Sequence, residues 1–276
     1  MSVFRSIKAC VTVITAAVAL ATAGDNANAH QHDHNQAPQP AVHPTEDPAY
    51  QRLPAPMNAP DEWTTWRVGG DLFAKPVPLR NESENTWRLG DMVVETKLPE
   101  GYPRPTPPNA IEIKRYPSVR RAEISGRGDL RSAGSRAFRP LFRHISQNDI
   151  AMTAPVEMEM AETPETINDD TPWTVSFLYE SADLGPTGAD DRNRGVRVID
   201  TKPVTVLAIG QQGTPLAMDR LGPAIAELER WLDNNPDWHA AGPPRTFGYN
   251  GPMTPARLRW SEVQIPIKRT NADSHD

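Results

Sequence analysis

Three arginines on one predicted helix have the type and spacing that most directly suggest chemistry. Arg136, Arg139 and Arg143 stand at i, i+3 and i+7 within Ser132–Ile145, so they share one helix face. A guanidinium is a planar fork that matches a carboxylate, so this face suits a partner that carries carboxylates. The same stretch places Phe138, Leu141, Phe142 and Ile145 at i, i+3, i+4 and i+7. That apolar stripe lies about 140° round the helix from the arginines. It reads as core, and Phe138 and Phe142 reach a ligand only from its edge. The arginines belong to a wider basic segment: Glu112–Arg143 carries nine basic residues against three acids. The whole chain has 29 Lys+Arg, 35 Asp+Glu and a net charge of −6. A local basic surface on an acidic chain suits one anionic ligand better than a long polyanion, and the net charge argues against general nucleic-acid binding. The competing reading is a solvated charged face paired with acids elsewhere.

Other chemistry is scarce. The sequence has no G-x-S-x-G, H-E-x-x-H, P-loop or G-x-G-x-x-G before a helix. Asp169-Asp170 and Asp190-Asp191 fall in predicted loops and read as solvated turns. Without a nucleophile paired to a base no reaction can be named, and no catalysis is expected. His30, His32 and His34 form an H-x-H-x-H run. Alternate histidines can catch Zn, Cu or Ni weakly, but a solvated polar tail is the favoured reading and no metal site is expected.

These residues need elements to position them, and the first 29 residues are not among those elements. Arg5 and Lys8 precede an apolar run, Ala9–Ala23, which ends near the small-x-small pattern Ala27-Asn28-Ala29. The run is shorter than the roughly 20 residues of a membrane helix, so residues 1–29 read as a secretory signal peptide cut after Ala29. The expected location is periplasmic or extracellular, with no stable membrane insertion after cleavage. Cys10, the single cysteine, leaves with the leader, which removes disulfides and thiolate chemistry from the mature chain. Arg5, Lys8 and Asp25 leave with it, giving 27 basic and 34 acidic residues and a net charge of −7.

Residues 30–60 hold seven prolines between Pro38 and Pro60 and no hydrophobic period, so they read as a disordered His/Pro-rich linker. Residues 61–109 contain Trp63, Trp66, Phe73 and Trp87, which suggests an extension docked on the domain that follows. From Ala110 the pattern becomes regular. Strands are predicted at 111–115, 119–125, 150–160 and 173–180, with the arginine-bearing helix after the second. Further strands at 196–201, 204–209, 246–249 and 261–267 surround a second helix within 215–234, whose stripe is Leu221, Ile225, Leu228 and Leu232. Both halves are strand-strand-helix-strand-strand. The fold class is therefore α+β, most simply an antiparallel sheet rolled toward a barrel with two helices outside. Residues 269–276 read as a flexible C-terminal tail.

Four motifs then carry a resemblance. Ala151–Val156 reads A-M-T-A-P-V, preceded by I-E-I-K-R-Y-P at Ile111–Pro117 and followed by Y-N-G-P-M at Tyr249–Met253 and S-E-V at Ser261–Val263. In that order and spacing the chain resembles the SOUL/haem-binding protein family over residues 110–268. The resemblance implies a distorted eight-stranded antiparallel barrel of two ββαββ pseudo-repeats with two flanking helices. It implies non-covalent binding of haem or a related tetrapyrrole, for binding, buffering or transport. Haem is an apolar disc with two carboxylates at one edge, which directs attention to Arg136, Phe138, Arg139, Phe142 and Arg143. His144 and Met152 are the candidate axial ligands, with Tyr116 and His239 looser ones. Gly251 stands where the family often has proline, and Arg259-Trp260-Ser261-Glu262-Val263 replaces the common R-R-N-E-V. Two function classes follow. One is an exported, non-enzymatic haem-binding protein. The other is a cell-envelope interaction module of the same fold that binds another amphipathic anion, a peptide or a protein.

Overall fold

The computed structural model describes residues 64–80, 85–160, 170–214, 216 and 218–270. The predicted signal peptide, the His/Pro-rich linker and Trp63 lie outside the described residues, as does the C-terminal tail beyond residue 270. The first strands are β1 (Thr65–Gly70), β2 (Val77–Pro78), β3 (Trp87–Leu89) and β4 (Met92–Val94). Then β5 (Ala110–Tyr116) and β6 (Arg120–Arg127) lead into α1 (Leu130–Gln147), followed by β7 (Val156–Met160) and β8 (Pro172–Leu178). After β9 (Gly188–Ala189), β10 (Arg197–Asp200) and β11 (Val204–Gln212) lead into α2 (Met218–Asp233). Strands β12 (Trp238–Ala240), β13 (Arg245–Gly248) and β14 (Trp260–Arg269) complete the order. No helix among the described residues is long and apolar enough to cross a membrane.

The main sheet runs β1-β5-β11-β14-β13-β7-β8-β6-β10-β9, with β12 also on β14. Exchanging β5, β6, β7 and β8 with β10, β11, β13 and β14 leaves the inner order unchanged. The first strand of each half thus pairs with the second strand of the other: β5 with β11, and β10 with β6. The sheet is not closed into the expected barrel. β1 occupies the outer edge of β5 and β9 that of β10, so the two ends of the path do not meet.

Each helix packs on its own half, α1 on β6 and β8, α2 on β14 and β11. In α1 the buried line is Leu130, Ala133, Ala137, Leu141 and Ile145, all at most 2% exposed. Its three-and-four spacing makes one face, and each large apolar side chain buried there contributes about 1.5–3 kcal/mol. The expected stripe is therefore correct at Leu141 and Ile145, while Phe138 and Phe142 lie on its flank, half-buried. Alternation on the strands sends Ile111, Ile113, Met158, Met160, Val263 and Ile265 to this helix side.

The opposite side of the sheet has its own core. Met92, Val94, Leu98 and Tyr102 from the extension cover Tyr116, Val206, Ala208, Phe247, Tyr249 and Trp260. The strand expected from Ile150 begins only at Val156. Before it, Thr153 Oγ1 donates to the Leu178 carbonyl (2.6 Å) and the Ala154 N–H to the Lys97 carbonyl (2.9 Å). These bonds direct the backbone across the sheet edge rather than along a ladder.

Candidate functional site

The motif residues meet on the sheet side away from the helices. Register places Ser125, Thr174, Glu159, Arg245, Gln264, Ala208, Glu112 and Arg67 opposite one another in a row across the sheet. Beside it run Arg197, Glu123, Ser176, Glu157, Phe247 and Glu262. Glu262 is fully buried and accepts from Lys114 Nζ (2.8 Å), the Thr106 N–H (2.6 Å), Tyr249 OH (2.7 Å) and Gln264 (2.7 Å). Burial alone would raise its pKa, but Lys114 and these donors hold it below the usual carboxylate range. Burial pushes the Lys114 ammonium down, opposed by Glu262 and Glu112. We take the pair as ionised, since each charge faces its opposite at hydrogen-bond distance. Glu112 accepts from Arg67 (2.9 Å) and Arg104 (2.7 Å).

A second cluster lies further along the rows. Arg121 bridges Glu123 (2.9 Å), Glu157 (3.1 Å) and Glu159 (3.4 Å), and Arg245 reaches Glu157 (2.9 Å) and Gln264 (2.9 Å). The Arg245 guanidinium also lies over the Tyr116 and Phe247 rings, at 5.3 and 4.9 Å. Glu159 is the exposed member, with 37% of its side chain accessible. Burial and the neighbouring Glu157 raise its pKa. At the ends of β6, β7 and β8 lies a cavity of about 680 Å³, bordered by Ser125, Glu159 and Thr174 from this face and by Met160 and Trp173 from the helix side, with Arg127, Pro172 and Pro243 between. None of this cluster was singled out from the sequence. The available signal was charge at every second position, as in Val156–Met160 (VEMEM) and Ile111–Arg115 (IEIKR).

The residues that were singled out fall into three groups. Phe138 and Phe142 stack with their centroids 5.8 Å apart and planes 7° from parallel, and Phe138 also meets Phe177 edge-on at 5.2 Å. Both are half-buried against the helix-side core, as is Met152. Arg139 and Arg143 are exposed, and among the described residues neither has a partner. Arg136 leans to the other flank, where it lies over the Trp173 ring at 5.2 Å and donates to the Arg127 carbonyl (3.1 Å).

His144 is buried, and both ring nitrogens are committed. Nδ1 meets Asp190 Oδ2 at 2.5 Å and Nε2 meets Tyr179 OH at 2.6 Å. A carboxylate only accepts, so Nδ1–H donates to Asp190; in the neutral ring Nε2 then accepts from the Tyr179 hydroxyl. Asp190 also accepts from the Asn193 side chain and the Arg192 N–H. The chain Tyr179–His144–Asp190 ties the end of α1 to β8 and to the loop before β10. With Tyr179 only 1% exposed, this constellation offers no surface to a substrate. Tyr116 and His239, the looser candidates, are separated: Tyr116 is buried in the second core and His239 lies exposed on β12.

No curated protein sequence matches the chain. Solved structures of low similarity include the EcmrR C-terminal domain, at 13% identity and a TM-score of 0.47 over 58% of this chain and 97% of that one. A hydrolase from Listeria innocua aligns at 12% identity and a TM-score of 0.42, over 59% of this chain and 93% of that one. The description that matches by sequence is the SOUL haem-binding protein, over residues 98–266. That span includes the buried carboxylate Glu262 with its Lys114 and Tyr249 partners, the cis Ala154-Pro155 bond of the A-M-T-A-P-V motif, and both helices. The match covers more than half of the sequence, and on it the chain belongs to the SOUL haem-binding protein family.

Proposed function

We propose that this chain is an exported, non-enzymatic protein that binds haem without covalent attachment, on the outer flank of α1. The observation that carries the site is the juxtaposition on one helix of an apolar flank, Phe138 and Phe142, with two exposed cations, Arg139 and Arg143, that have no partner among the described residues. At about 100° per residue, Arg139 is only about 60° round the helix from Phe142. The residues fit the group: the flank offers apolar contact for a disc, and the guanidiniums offer forks for its two carboxylates. Bound haem would supply iron redox and ligand chemistry; the chain supplies the surface that holds it. Met152, half-buried against the helix-side core, is the sequence candidate left for the iron in this reading. His144 does not enter the ligand set in this reading, because ligation would cost its bond to Tyr179 or to Asp190. Arg136 is set aside for the same kind of reason, being committed to Trp173 and the Arg127 carbonyl. We read the two halves of the sheet as ββαββ pseudo-repeats, a reading supported by the strand order that survives their exchange.

The test is a haemin titration of the chain lacking residues 1–34, so that His30, His32 and His34 cannot ligate iron, followed at the Soret band. Saturation near one equivalent is expected, with at least tenfold weaker binding when Arg139→Glu and Arg143→Glu are combined. A signal that does not saturate, or one that the double variant leaves unchanged, overturns the site and favours the interaction-module alternative. Export is tested separately, by the N-terminal residue of the secreted product; any terminus other than His30 overturns cleavage after Ala29.

A further inference from the structure

A smaller cavity, of about 320 Å³, is bordered by Arg67, Leu72, Ala74, Lys75, Pro76 and Arg104. Its volume is at the low end of the range for small-molecule sites, about 300–1,000 Å³. Glu112, fully buried, holds both arginines on the sheet side away from the helices. Its Oε1 accepts from Arg67 Nε (2.9 Å) and Arg104 Nη2 (2.7 Å). Arg67 also donates to the Asp71 and Ala74 carbonyls, which ties the segment after β1 across it. Arg104 keeps a free edge. Its Nη1 turns to the Pro105 carbonyl (3.1 Å) and to Glu112 Oε2 (3.4 Å). Glu112 therefore spans Nη1 and Nη2, at the end of the guanidinium. Of the five N–H donors, Nε–H and the second Nη2–H remain, and among the described residues neither has an acceptor. They lie parallel on the side of the fork, with the spacing of the two oxygens of a carboxylate. The Arg104 side chain is 25% exposed, so a ligand can reach it.

The balance of charge leaves room for one anion. Lys75 is exposed and has no partner among the described residues. Arg67, Arg104 and Lys75 stand against Glu112 and Asp71, a surplus of one positive charge, while the neighbouring Lys114 and Glu262 cancel. Asp71 is turned to its own loop, where Oδ1 accepts from the Phe73 and Ala74 N–H groups (2.8 and 3.0 Å). Those two backbone donors are thereby withdrawn from the cavity. Leu72, Ala74 and Pro76 supply the rest of its border and are apolar. A phosphomonoester, with a charge of about −1.5 to −2 and three acceptor oxygens, exceeds both the surplus charge and the donors left. A single carboxylate on an apolar body matches them.

We propose that this cavity is a second ligand site, for a small apolar monocarboxylic acid in its anionic form. The carboxylate accepts side-on from Arg104 Nε–H and Nη2–H, Lys75 closes on it from the loop, and the apolar body rests on Leu72, Ala74 and Pro76. The haem reading uses none of these residues, so the two assignments are independent.

Calorimetric titration of the full chain with 4-methylbenzoate tests the site directly. Two matched probes go with it: 4-methylbenzamide, the uncharged isostere, and 4-methylphenyl phosphate, the analogue of higher charge. Saturable binding of the carboxylate is expected, at least tenfold tighter than either matched probe. Arg104→Lys keeps a charge beside Glu112 but removes the fork, and should weaken the carboxylate at least tenfold. Lys75→Glu, at an exposed position, should weaken it at least fivefold, which provides a second readout if Arg104→Lys does not fold. Combining Arg139→Glu with Arg143→Glu should leave its affinity within twofold; a loss there would put the carboxylate on α1 and overturn the proposal. No saturable binding of the carboxylate, equal binding of the amide, a preference for the phosphate, or an unchanged affinity in Lys75→Glu overturns it as well. Haemin binding at α1 should be unchanged in Lys75→Glu, so the two sites stand or fall separately.

Discussion

Lys114 on β5 and Glu262 on β14 meet across β11, with Nζ and Oε1 2.8 Å apart and neither side chain exposed. The two residues are 148 apart in sequence, and they come from two of the four family motifs. A third motif adds Tyr249, whose hydroxyl donates to the same oxygen. These motif positions are therefore conditions for closing this part of the sheet. Lys114→Met removes one charge and strands the other in a dry site. The remaining donors from Thr106, Tyr249 and Gln264 soften the loss but cannot neutralise it. Unfolding free energy should fall by about 3–5 kcal/mol. Replacing both partners, as Lys114→Met with Glu262→Met, should cost less than Lys114→Met alone. Urea denaturation of the three proteins measures this; a double variant worse than the single one would contradict the account.

Much of the fold was legible in the sequence, because two local periods carry it. Alternation placed β5, β8, β11 and β14, and the three-and-four spacing placed α1 and α2. The helix centre was misjudged by weighting large residues. Ala133 and Ala137 form the contact line with the sheet, and Phe138 and Phe142 stand beside it. The site was legible only in part. Arg139 and Arg143 are exposed and have no partner among the described residues, as an outward face requires, but His144 is satisfied by Asp190 and Tyr179, 46 and 35 residues away. No local pattern announces such partners. The same limit hid the buried charges. Glu112 and Lys114 read as the wet side of a half-buried strand, and they are dry because Arg67, Arg104 and Glu262 meet them there.

The acid limb of stability should report Asp190. Burial alone would raise its pKa; hydrogen bonds from His144, Asn193 and the Arg192 N–H override this and hold it well below the ordinary value. A carboxylate lowered in the folded state adds stability that is complete above its unfolded pKa of about 3.9 and is lost as pH falls through the folded value. Glu262, also lowered, contributes in the same direction. Stability should therefore be level from neutral pH to about pH 5 and fall below about pH 4. Asp190→Asn should be less stable at pH 7, by about 1–3 kcal/mol, with a shallower fall in acid, so the two curves approach each other. Urea midpoints across this range decide it: parallel curves would remove Asp190 from the account.

Two glycines distinguish an obstacle that can move from one that cannot. A Cβ on Gly126 would collide with the Trp173 indole, and one on Gly210 with the backbone carbonyl oxygens of Thr106 and Pro107. The indole can tilt, at the expense of its contact with Arg136. The carbonyls belong to the segment that also donates the Thr106 N–H to Glu262 and accepts the Trp260 indole N–H (2.6 Å). Displacing that segment disturbs the buried pair. Gly210→Ala should cost about 3 kcal/mol or more, and Gly126→Ala about 1–2 kcal/mol. Gly126→Ala should also change tryptophan fluorescence through Trp173. Thermal melts that rank the two the other way would show that the Thr106–Pro107 segment yields more easily than the indole.

Gly134 should behave in the opposite sense. It lies in the first half of α1, and its backbone is helical without a positive φ. The nearest atom to a Cβ there is Met158 Cε at 3.9 Å, an ordinary van der Waals contact. Glycine inside a helix costs about 0.5–1 kcal/mol relative to alanine, mainly through the freedom it has when unfolded. Gly134→Ala removes that cost and adds a methyl against Met158 with no displacement. Stability should rise by about 0.5–1 kcal/mol, or about 1–4 °C in Tm for a domain of this size. The helix would keep Arg139, Arg143 and the Phe138–Phe142 flank in place, so haemin affinity should stay within twofold. A lower Tm would mean that α1 sits closer to β7 than the Met158 contact indicates. A raised Tm with lost haemin binding would mean that the ligand requires movement of this helix, and the fixed flank assigned to it would have to be abandoned.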